Sequence, residues 1–581
     1  MTNRKRNQLT DWQKTAVREL RAIAAVLPND FELLGRPRLA GTGLLQARIR
    51  LRTDDLTRVP RGLPLLQREE FLLWIGPNWL LPPFVEVDHD RFLCYPHVLL
   101  GRQLCIYLDP AREWNPQRGF ASAIDRLYEW LADAAAARFD PDAALFHAVG
   151  GVLHRTPGTP TIVIRESGKP RKVQPAFLTV RSERRQDLHY GRSHPGEHQT
   201  VVFQVADPLP LGAGTRLHHL LALLDTTMTP KAFGTPTSLP QATAFLTALA
   251  AAACRNPAGA PQTFILAIPH PAGGPPHLLA GRVPARTTDE LRRRVRSRRD
   301  PVINVNVQTL DSQTPVEWYA VSDERESVTT RRDTSRPTNA YLGKTIQIWG
   351  CGGLGSWIAE FIARAGAKHL VLCDPGTVTG GLLVRQDFTE NDIGETKPEA
   401  LRQRLAAIRE DITVEAHTTF IPDNLTTLQT DTDLIIDATI SRAIGQLLDE
   451  LAPAPDRPLL AQVATDAGTS TLGLLTVSAP TNPSGPNNID QQTGKIVTAD
   501  GGLEPFHTFW KDVSAQDELI PTRGCSVPTF HGSAADIAAV AASLTSMLGT
   551  HLACTEPISG THLIGLPHSP AGPFRHFIPA V

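Results

Sequence analysis

The sequence has few cysteines and almost no net charge, and both absences narrow the classes of protein to consider. Its 581 residues include seven cysteines, scattered and without a C-x-x-C pair, which argues against a disulfide framework and against structural zinc. Lysine and arginine number 58 against 59 aspartate and glutamate, so the net charge of −1 provides no global attraction for nucleic acid or anionic lipid. We therefore expect no direct nucleic-acid role, and each reduced thiol becomes a candidate for chemistry.

Long apolar runs are absent as well. No window approaches the ~20 consecutive apolar residues that a membrane span needs. The basic N-terminus is followed by a polar amphipathic stretch rather than by the apolar core of a secretion signal. We therefore expect a cytoplasmic protein without membrane contact.

The periodicity of the apolar residues predicts three domains and an α/β fold class. Residues 1–150 contain an amphipathic helix, a meander of short β-prone runs and a second helix, which indicates an α+β domain. Residues 151–335 mix strands, a helix and many Pro and Gly, and we interpret them as an α+β linking domain of unassigned role. Residues 336–581 alternate strands and helices as an open parallel sheet does, which predicts a Rossmann-like domain.

The linking domain contains a dense basic run. Residues 292–299 read R-R-R-V-R-S-R-R, a pattern that could contact phosphates. Because the chain around it is neutral overall, we expect instead a solvated helix face or a surface of ion pairs between domains.

The third region contains a glycine motif in an informative context. Residues 350–355 read G-C-G-G-L-G, directly after the predicted strand 345–349 and at the start of the predicted helix 355–365. Glycines let the backbone approach a phosphate, and the helix N-terminus supplies free N–H groups. Asp374, at the end of the next predicted strand, is placed to accept hydrogen bonds from a ribose. These features alone fit a dinucleotide oxidoreductase as well as an ATP enzyme.

Two cations that follow Asp374 favour ATP. Arg385 is followed by Gln386, and Lys397 ends the run I-G-E-T-K. A hydride-transfer enzyme does not need these cations, whereas a triphosphate needs them to balance its charge. In this order of motifs, residues 340–445 resemble the ThiF, MoeB and ubiquitin-activating family of ATP-dependent adenylating enzymes.

The resemblance implies a role for each motif. The glycines would cradle the ATP phosphates, Asp374 would hold the ribose, and the two cations would grip the phosphates. Two positions depart from the family: Leu382 stands where the family often has Asn, and the run 437–441 reads D-A-T-I-S in place of D-x-T-D-N. Asp437 is then the candidate ligand for Mg²⁺. The candidate nucleotide-binding residues are Gly350, Gly352, Gly353, Gly355, Asp374, Arg385, Lys397 and Asp437.

Cys525 is the first candidate nucleophile. It lies in the polar run T-R-G-C-S-V-P-T of residues 522–529, where Arg523 and backbone dipoles could lower a free thiol pKa of about 8.5. A thiolate is the natural nucleophile for an acyl adenylate, and this stretch resembles the activating cysteine loop of bacterial ubiquitin-activating-like proteins. We expect Cys254 and Cys554 to be small buried hydrophobic residues.

Cys105 is the second candidate nucleophile. His97 stands eight residues before it, where ubiquitin-conjugating enzymes have the Asn that supports the oxyanion as an amine attacks the thioester. His97 could donate a hydrogen bond instead or act as a base. Cys94 is the competing thiol, and its strand-like setting predicts a core position. The motifs that resemble the core of a ubiquitin-conjugating enzyme are W-L-L-P-P-F at 79–84, Y-P-H at 95–97, G-R-Q-L-C at 101–105 and W-N-P at 114–116.

A conjugating-type domain joined to an adenylating domain resembles the activating and conjugating fusions of bacterial CBASS antiphage operons. The resemblance implies that ATP, with Mg²⁺, and a protein C-terminal carboxylate form an acyl adenylate. Cys525 would take the acyl group, Cys105 would receive it, and a lysine of a target protein would accept it. The protein activated would be a cGAS-like nucleotidyltransferase or a ubiquitin-like protein. A homodimer through the adenylating domain is also implied, with Arg331, Arg332 or Arg336 of one subunit reaching the ATP of the other.

Other functions remain open on the sequence alone. A sulfur-carrier-protein adenylyltransferase would use Cys525 or no cysteine and would leave the first domain without a task. An NAD-dependent oxidoreductase is disfavoured by Arg385 and Lys397. The protein could also be a non-catalytic ATP-binding scaffold, in which Leu382 and Ile440 indicate a site that has lost its catalytic residues.

Overall fold

The computed structural model describes residues 8–93, 95–99, 102–139, 148–149, 154–169, 171–209, 211–225, 240–271, 273–296, 310–329, 336–419, 431–439, 441–510 and 532–580. The chain divides into two compact units, Met1–Arg331 and Arg332–Val581. Strands of the first unit form an antiparallel sheet and a barrel, and strands of the second form one large mixed sheet.

An antiparallel sheet with helices makes up the N-terminal domain of the first unit. Its strands pair in the order β1-β2-β3-β4-β5. They are β1 (Phe31–Leu39), β2 (Leu45–Arg52), β3 (Arg68–Ile75), β4 (Phe84–Glu86) and β5 (Gln103–Leu104). The helices are α1 (Asp11–Val26), α2 (Pro110–Glu113) and α3 (Gly119–Ala135), with a 3-10 turn at Pro116–Arg118.

Helix α1 begins with Thr10 as its N-cap. Thr10 Oγ1 accepts the N–H of Gln13 and the Gln13 side chain accepts the N–H of Thr10, each at 3.2 Å, a reciprocal capping box. Along β2, the buried residues Leu45, Ala47 and Ile49 alternate with more exposed neighbours. One face of the sheet therefore packs against α1 and α3 in a single apolar core.

The linking domain of the first unit is a closed barrel of strands with helices on its outside. The strands close in the order β10-β11-β12-β6-β8-β7-β9, with β9 parallel to β10. They are β6 (Thr161–Ile164), β7 (Val173–Ser182), β8 (Arg185–His189), β9 (His198–Gln204), β10 (Gln262–Ile268), β11 (His277–Val283) and β12 (Glu317–Asp323). The helices are α4 (Leu217–Asp225), α5 (Gln241–Ala253), α6 (Ala285–Arg296) and α7 (Glu326–Thr329).

Alternation along the barrel strands separates two apolar cores. Phe264 and Leu266 belong to a core shared with α4 and α5, whereas Ile265 and Ala267 belong to a second core made by the barrel strands themselves. Because successive side chains of a strand point to opposite faces, the first set packs under the helices and the second fills the barrel.

The basic run that the sequence predicts as a solvated face is partly structural. Arg292 is buried, and its guanidinium donates to the carbonyls of Ala253, Asn256 and Pro257 at 2.8 Å. These carbonyls lie at and just beyond the C-terminus of α5, where helical carbonyls lack partners within the helix. Arg292 therefore closes a helix end, and the prediction of a solvated position is wrong for this residue, while Arg293 is exposed as expected.

The second unit is a mixed sheet with helices on both faces. Its strands pair in the order β15-β14-β13-β16-β17-β18-β19-β20, parallel from β15 to β17 and antiparallel from β17 to β20. They are β13 (Thr345–Trp349), β14 (His369–Cys373), β15 (Thr413–His417), β16 (Leu434–Asp437), β17 (Leu459–Thr465), β18 (Leu472–Ser478), β19 (Gly560–Gly565) and β20 (Phe574–Pro579).

The helices of the second unit alternate with its parallel strands. They are α8 (Gly353–Arg364), α9 (Lys397–Ile408), α10 (Arg442–Leu451), α11 (Pro486–Ala499) and α12 (Ala534–Ala553). Shorter 3-10 turns are Pro337–Tyr341, Gly380–Leu382, Glu390–Asp392 and Gly501–Phe509. Core residues of α8, α9 and α12 cover one face of the sheet, and those of α10 cover the other. The predicted α/β class, with α+β first and linking domains and a Rossmann-like C-terminal part, is confirmed.

Three strands of this sheet end at the same edge. Trp349 at the end of β13 is paired with Cys373 of β14 and with Asp437 of β16. The carboxyl ends of neighbouring parallel strands are where an open α/β sheet forms its ligand site. In the part of the chain that the structure describes, no helix combines the length and apolarity needed to cross a bilayer.

Replacing Arg292 with methionine should destabilise the barrel domain. The substitution keeps the apolar stem but leaves buried carbonyls unpaired, and we expect a loss of about 3 kcal/mol in the free energy of unfolding. Scanning calorimetry of the full chain should show one transition lowered by several degrees. The exposed neighbour provides the control, since Arg293→Met should stay within about 0.5 kcal/mol. Equal effects of the two substitutions would contradict the capping role.

Candidate active site

The glycine loop between β13 and α8 needs glycine at two positions because backbones meet there. Gly350 has a φ of 92°, and a Cβ built on it would lie 2.9 Å from the backbone of Ala438. A Cβ on Gly355 would lie 1.8 Å from the carbonyl oxygen of Gly350. No heavy atom lies within 4 Å of the Cβ position of Gly352. Two glycines therefore allow close packing, while Gly352 borders open space at the start of the helix.

Asp374 holds the glycine loop to the end of β14. One carboxylate oxygen accepts the N–H of Cys351 at 2.7 Å, and the other accepts the N–H of Gly376 at 2.6 Å. The side chain is buried, so both hydrogen bonds are shielded from water. The carboxylate predicted to meet a ribose thus lies against the loop, with lone pairs left to accept further donors.

The two cations predicted to grip phosphates are buried or half-buried. Lys397 is the first residue of α9, is buried, and lies with its Nζ 3.3 Å from the Cβ position of Gly376, on the same side as Asp374. Arg385 has a buried Nε without a hydrogen-bond partner. Among the described residues, neither charged group forms an ion pair. Buried or half-buried cations of this kind need an anion, and the glycine loop lies beside them.

Asp437 ends β16 next to the glycine loop. Its Oδ1 accepts the N–H and the hydroxyl of Thr439 at 2.8 and 2.6 Å. Burial raises the pKa of Asp437 to about 6, although these hydrogen bonds act in the opposite direction. The ionised form of the carboxyl group therefore benefits from a nearby cation. In the described ranges, no three His, Cys, Asp or Glu side chains converge as a protein-built metal site requires. A single carboxylate fits a magnesium ion that takes phosphates and water as its other ligands.

A buried cluster of charges lies below the loop that carries Arg385. Arg404 Nε donates to Glu360 Oε2 at 2.7 Å and to Asp387 Oδ2 at 3.0 Å, and its Nη2 lies 2.7 Å from Asp387 Oδ1. Arg364 Nε donates to the other oxygen of Glu360 at 2.8 Å. We call Glu360, Asp387 and Arg404 the carboxyl hub.

Arg404 bridges the two carboxyl groups of the carboxyl hub, and their pKa values shift in opposite directions. Burial, followed by the interaction with Glu360, raises the pKa of Asp387 well above its usual range. Burial opposes ionisation of Glu360, but the interactions with Asp387, Arg404 and Arg364 outweigh it and lower the pKa of Glu360. Sequence reasoning missed this cluster, because its three members lie on separate elements and form no motif.

Cys105 directly follows β5, and His97 lies in the loop before that strand. The Cys105 N–H donates to the His97 carbonyl at 2.8 Å, and the thiol donates to the Tyr107 carbonyl at 3.3 Å. His97 and Arg102 have φ values of 60° and 64°, unusual for residues other than glycine. Such backbone strain is common where a loop must hold a functional group in one place. The structure thus brings together the two residues that the sequence motif pairs.

The side chains of these two residues have different surroundings. The His97 imidazole is buried, with its centroid 4.7 Å from that of Phe139, so the ring lies against the interior of the domain. Cys105 is half-buried, and burial, followed by the charge of Glu113, raises the pKa of its thiol, while Arg126 opposes the shift. In this conformation the thiol is protonated at neutral pH.

An exposed apolar patch lies near Cys105. Trp79, Leu80 and Leu81 are more than half exposed, and Leu108, three residues after the thiol, is 72% exposed. The Trp114 indole N–H donates to the Trp79 carbonyl at 2.9 Å, so two of the predicted motifs meet in space. Large exposed apolar side chains that cluster on a surface mark a site of protein contact.

Several predicted positions lie outside the described residues. They are Cys94, Arg331, Arg332, Ile440 and Cys525 with its loop. The described chain resumes at Gly532, whose Cβ position is 2.5 Å from Ser470 Cβ, and Ser533 is the N-cap of α12. Cys554 is exposed, so the expectation of a buried hydrophobic thiol is wrong for this residue.

These features define a class of protein. A doubly wound sheet with a glycine loop, a buried acid at the next strand end and two cations that form no ion pair among the described residues provides the groups that a nucleotide's phosphates and ribose require. In the same chain, an α+β domain holds the half-buried Cys105 with its backbone N–H bonded to the His97 carbonyl.

Comparison with known families agrees with this assignment. Residues 36–150 match the prokaryotic E2 family A, residues 151–324 match the Cap2 central linker domain, and residues 339–497 match the ThiF family. The chain therefore combines a prokaryotic E2-like domain, a Cap2-type central linker and a ThiF-family domain. This confirms the fusion that the sequence motifs predict.

Individual relatives match only part of the chain. The chain is 31% identical over 118 residues to adenylyltransferase and sulfurtransferase MOCS3 of Culex quinquefasciatus, covering 20% of this chain and 27% of that protein. It is 38% identical over 85 residues to ubiquitin-like modifier-activating enzyme 5 of Arabidopsis thaliana, covering 15% and 19%. With the ThiS adenylyltransferase of Escherichia coli it shares 32% identity over 129 residues, covering 22% and 51%. The chain thus spans about half or less of the length of these relatives.

A comparison with solved structures also finds a partial match. The crystal structure of E. coli MccB with ATP matches at 16% identity and a TM-score of 0.30, covering 42% of this chain and 66% of that chain.

Two glycine-to-alanine substitutions in the glycine loop should differ in their effect on stability, because one position is tightly packed and the other borders open space. Gly355→Ala forces a Cβ onto the Gly350 carbonyl, and we expect it to cost at least about 2 kcal/mol in the free energy of unfolding. Gly352→Ala meets no atom and should cost less than about 1 kcal/mol, the scale of a helix N-cap change. Urea unfolding of both variants measures the difference. A Gly352→Ala variant as unstable as Gly355→Ala would show that the loop differs from this description.

Proposed function

We propose that the protein activates a protein C-terminal carboxylate with ATP and conjugates it to a lysine of a target protein. The domains at 1–150, 151–335 and 336–581 would act as conjugating, linking and adenylating domains. The observation that carries the proposal is a pair of cations, Arg385 and Lys397, that form no ion pair among the described residues, together with the open space at Gly352 of the glycine loop. These groups supply the positive charge that a triphosphate requires.

The first step forms an acyl adenylate. A carboxylate oxygen of the modifier attacks the α-phosphorus of ATP, the bond to the β-phosphate oxygen breaks, and pyrophosphate leaves. Arg385, Lys397 and the N–H groups at the start of α8 balance the charge that builds on the leaving phosphates. Asp374 holds the ribose while it also holds the glycine loop. Asp437 would hold Mg²⁺, which supplies charge neutralisation of the phosphates when bound.

The later steps move the acyl group between thiols. The Cys525 thiolate attacks the acyl carbon and AMP leaves. The Cys105 thiolate then attacks the thioester, and the Cys525 thiolate leaves. A lysine amine attacks the second thioester, the Cys105 thiolate leaves, and the amine gives up its proton as the isopeptide forms. Exchange between thioesters of similar energy divides one difficult condensation into easier steps.

His97 and the exposed patch support the role of Cys105. The His97 carbonyl fixes the Cys105 backbone at 2.8 Å, and its ring is the proposed oxyanion donor or base once it turns from Phe139 toward the thioester. The raised pKa of Cys105 means that transthiolation should speed up with rising pH. The apolar surface at Trp79 and Leu108 gives a protein partner a place to dock.

The biological setting belongs to this proposal. The match to the Cap2 central linker domain supports a role in CBASS antiphage defence in the cytoplasm, with a cGAS-like nucleotidyltransferase or a ubiquitin-like protein as the modifier. The protein would work as a homodimer, with Arg331, Arg332 or Arg336 reaching the partner's ATP.

A second candidate is a sulfur-carrier-protein adenylyltransferase. The similarity to MOCS3 and to the ThiS adenylyltransferase favours it. That activity stops at the adenylate or uses one thiol, and it gives the E2-like domain at 36–150 no task. A third candidate is a non-catalytic ATP-binding scaffold, which would leave ATP intact.

Loss of either phosphate-binding cation should stop adenylation. We expect Lys397→Met and Arg385→Met to slow ATP–pyrophosphate exchange, with the modifier present, by at least about 100-fold, the usual cost of a lost electrostatic contact in the transition state. Arg402→Met is the control, since Arg402 lies on the same helix in a surface ion pair with Glu399. Exchange that is unchanged in the first two variants would contradict the assigned site.

The two thiols should accept the acyl group in a fixed order, Cys525 before Cys105. On a non-reducing gel with ATP, Mg²⁺ and the modifier, Cys105→Ala should accumulate a DTT-sensitive adduct on Cys525. Cys525→Ala should show none, because the acyl group never leaves the adenylate. Cys554→Ala is the matched control, since Cys554 is an exposed free thiol and should behave as the wild type.

The other outcomes on this gel distinguish the alternatives. ATP that is consumed without any thioester would favour the sulfur-carrier activity. ATP left intact, with no adduct in any lane, would favour the scaffold. An adduct that persists in Cys525→Ala and disappears in Cys105→Ala would reverse the order of the relay.

A further inference from the structure

Arg385 lies in a loop between β14 and α9 that is closed at its base. The N–H of Val378 donates to the Glu395 carbonyl, and the N–H of Gly394 donates to the Val378 carbonyl, each at 2.9 Å. We call the residues between these bonds, 379–393, the Arg385 loop. Because the base fixes only the two ends of such a loop, the position of Arg385 depends on the contacts that the loop makes further along.

Arg404 of α9 makes two contacts with the Arg385 loop. Its Nε lies 3.0 Å from Asp387 Oδ2 and its Nη2 lies 2.7 Å from Asp387 Oδ1, the paired arrangement of a guanidinium on a carboxylate. The same Nε donates to Glu360 Oε2 of α8 at 2.7 Å. Asp387 lies two residues after Arg385, and both acids are buried, so salt screens these contacts weakly.

Arg404 also lies on the same side of α9 as Lys397. It follows Lys397 by seven residues, which is about two helical turns. The N–H of Lys397 donates to the Gly376 carbonyl at 2.9 Å, which fixes the start of α9 close to Asp374. One helix therefore carries a proposed phosphate-binding cation and also the residue that holds the loop with the other one.

The backbone around Arg385 is attached to α8 as well. The Asp387 N–H donates to the buried Ser356 hydroxyl at 3.1 Å, and the Trp357 indole N–H donates to the Arg385 carbonyl at 3.1 Å. Arg404 is the residue that connects this segment to α9. A shift of Asp387 would therefore move Arg385 relative to Lys397.

Loss of Arg404 would leave the two acids of the carboxyl hub without the cation between them. Burial, followed by the interaction with Glu360, raises the pKa of Asp387, and the Arg404 guanidinium acts in the opposite direction. Arg364 donates to the other oxygen of Glu360 at 2.8 Å and makes no ion pair with Asp387 among the described residues. Since Asp387 is the acid on a loop, it is the one that would move.

We propose that Arg404 is a positioning residue for ATP binding, acting through Asp387 on the Arg385 loop. By holding this loop on α9, it sets the distance between the two proposed phosphate-binding cations, Arg385 and Lys397. The proposal rests on the adenylating function proposed above. Arg404 does not itself touch the nucleotide, because its guanidinium faces the two acids of the carboxyl hub.

The first test measures MgATP binding by the full chain with isothermal titration calorimetry. Arg404→Met keeps the apolar stem and removes the guanidinium, so the affinity should weaken about tenfold at an unchanged number of sites per chain. A variant that merely folds less well would lose sites rather than affinity. Arg364→Met is the matched control, since Arg364 contacts Glu360 from an exposed position, and it should bind within about twofold of the wild type.

A double-variant cycle tests whether Arg404 acts through Arg385. In an Arg385→Met background the cation to be positioned is absent, so adding Arg404→Met should change the affinity by less than about twofold. Structural damage that is independent of Arg385 would instead multiply the two losses. Multiplied losses would contradict the proposal.

Arg404→Lys is the second variant, for use if Arg404→Met does not fold. Lysine keeps a positive charge between the two acids, but an ammonium group cannot form the paired bonds of a guanidinium. Phe388 packs in the apolar core, which helps to keep the loop attached. The affinity should fall about threefold, and this loss should also disappear in the Arg385→Met background.

The last measurement needs no nucleotide. Hydrogen exchange of the backbone amides of residues 382–388 should accelerate in Arg404→Met, because the loop loses its attachment to α9. In Arg364→Met the exchange of the same amides should follow the wild type. Equal exchange in all three chains would overturn the proposal.

The outcomes separate this proposal from the function on which it rests. If the wild type binds MgATP and Arg404→Met binds it equally well, Arg404 is not a positioning residue. If the wild type binds no MgATP while the exchange of residues 382–388 accelerates as expected, the adenylating function fails and the attachment of the Arg385 loop by Arg404 stands.

Discussion

Two backbones meet at the glycine loop with no room for a Cβ between them, and the placement of the other groups in the candidate nucleotide site depends on that approach. Gly350 lies against the backbone that follows Asp437, and Gly355 lies against the carbonyl of Gly350. Because β13, β14 and β16 end in register, Asp374 and Asp437 reach the same edge of the sheet. Any side chain in this gap would separate α8 from the strand ends, and with it the helix N-terminus from the two acids.

Two pairs of cations in this protein differ in what balances their charge. Arg292 and Arg457 are buried and donate to backbone carbonyls, and burial lowers the pKa of Arg457 to about 10. These two side chains satisfy backbone carbonyls at a helix end and in turns of the fold. Arg385 and Lys397 have no such acceptors among the described residues. The absence of an internal partner, rather than burial alone, is what distinguishes a cation available to a ligand from one required for folding.

Much of the second unit could be predicted because its strands and glycine loop follow local rules. The bounds of β13 match the predicted strand 345–349, and α8 begins and ends within two residues of the predicted helix 355–365, since short buried strands and helices after a glycine turn have local signatures. The closed barrel could not be predicted, because three of its strand pairs are parallel and join distant segments. The carboxyl hub was missed for the same reason. Its charges resemble surface residues in sequence, and only the packing of α8 on α9 removes them from water.

The closed barrel has a consequence for the middle of the chain. The sheet of the E2-like domain ends in β1 and β5, and the large sheet ends in β15 and β20, so each leaves edge strands with unpaired backbone groups. In the barrel every described strand has a neighbour on both sides, because β9 pairs with β10. Closure leaves no template onto which a strand from another copy could add. A central segment built in this way resists edge-to-edge aggregation and strand exchange during synthesis of a long multidomain chain.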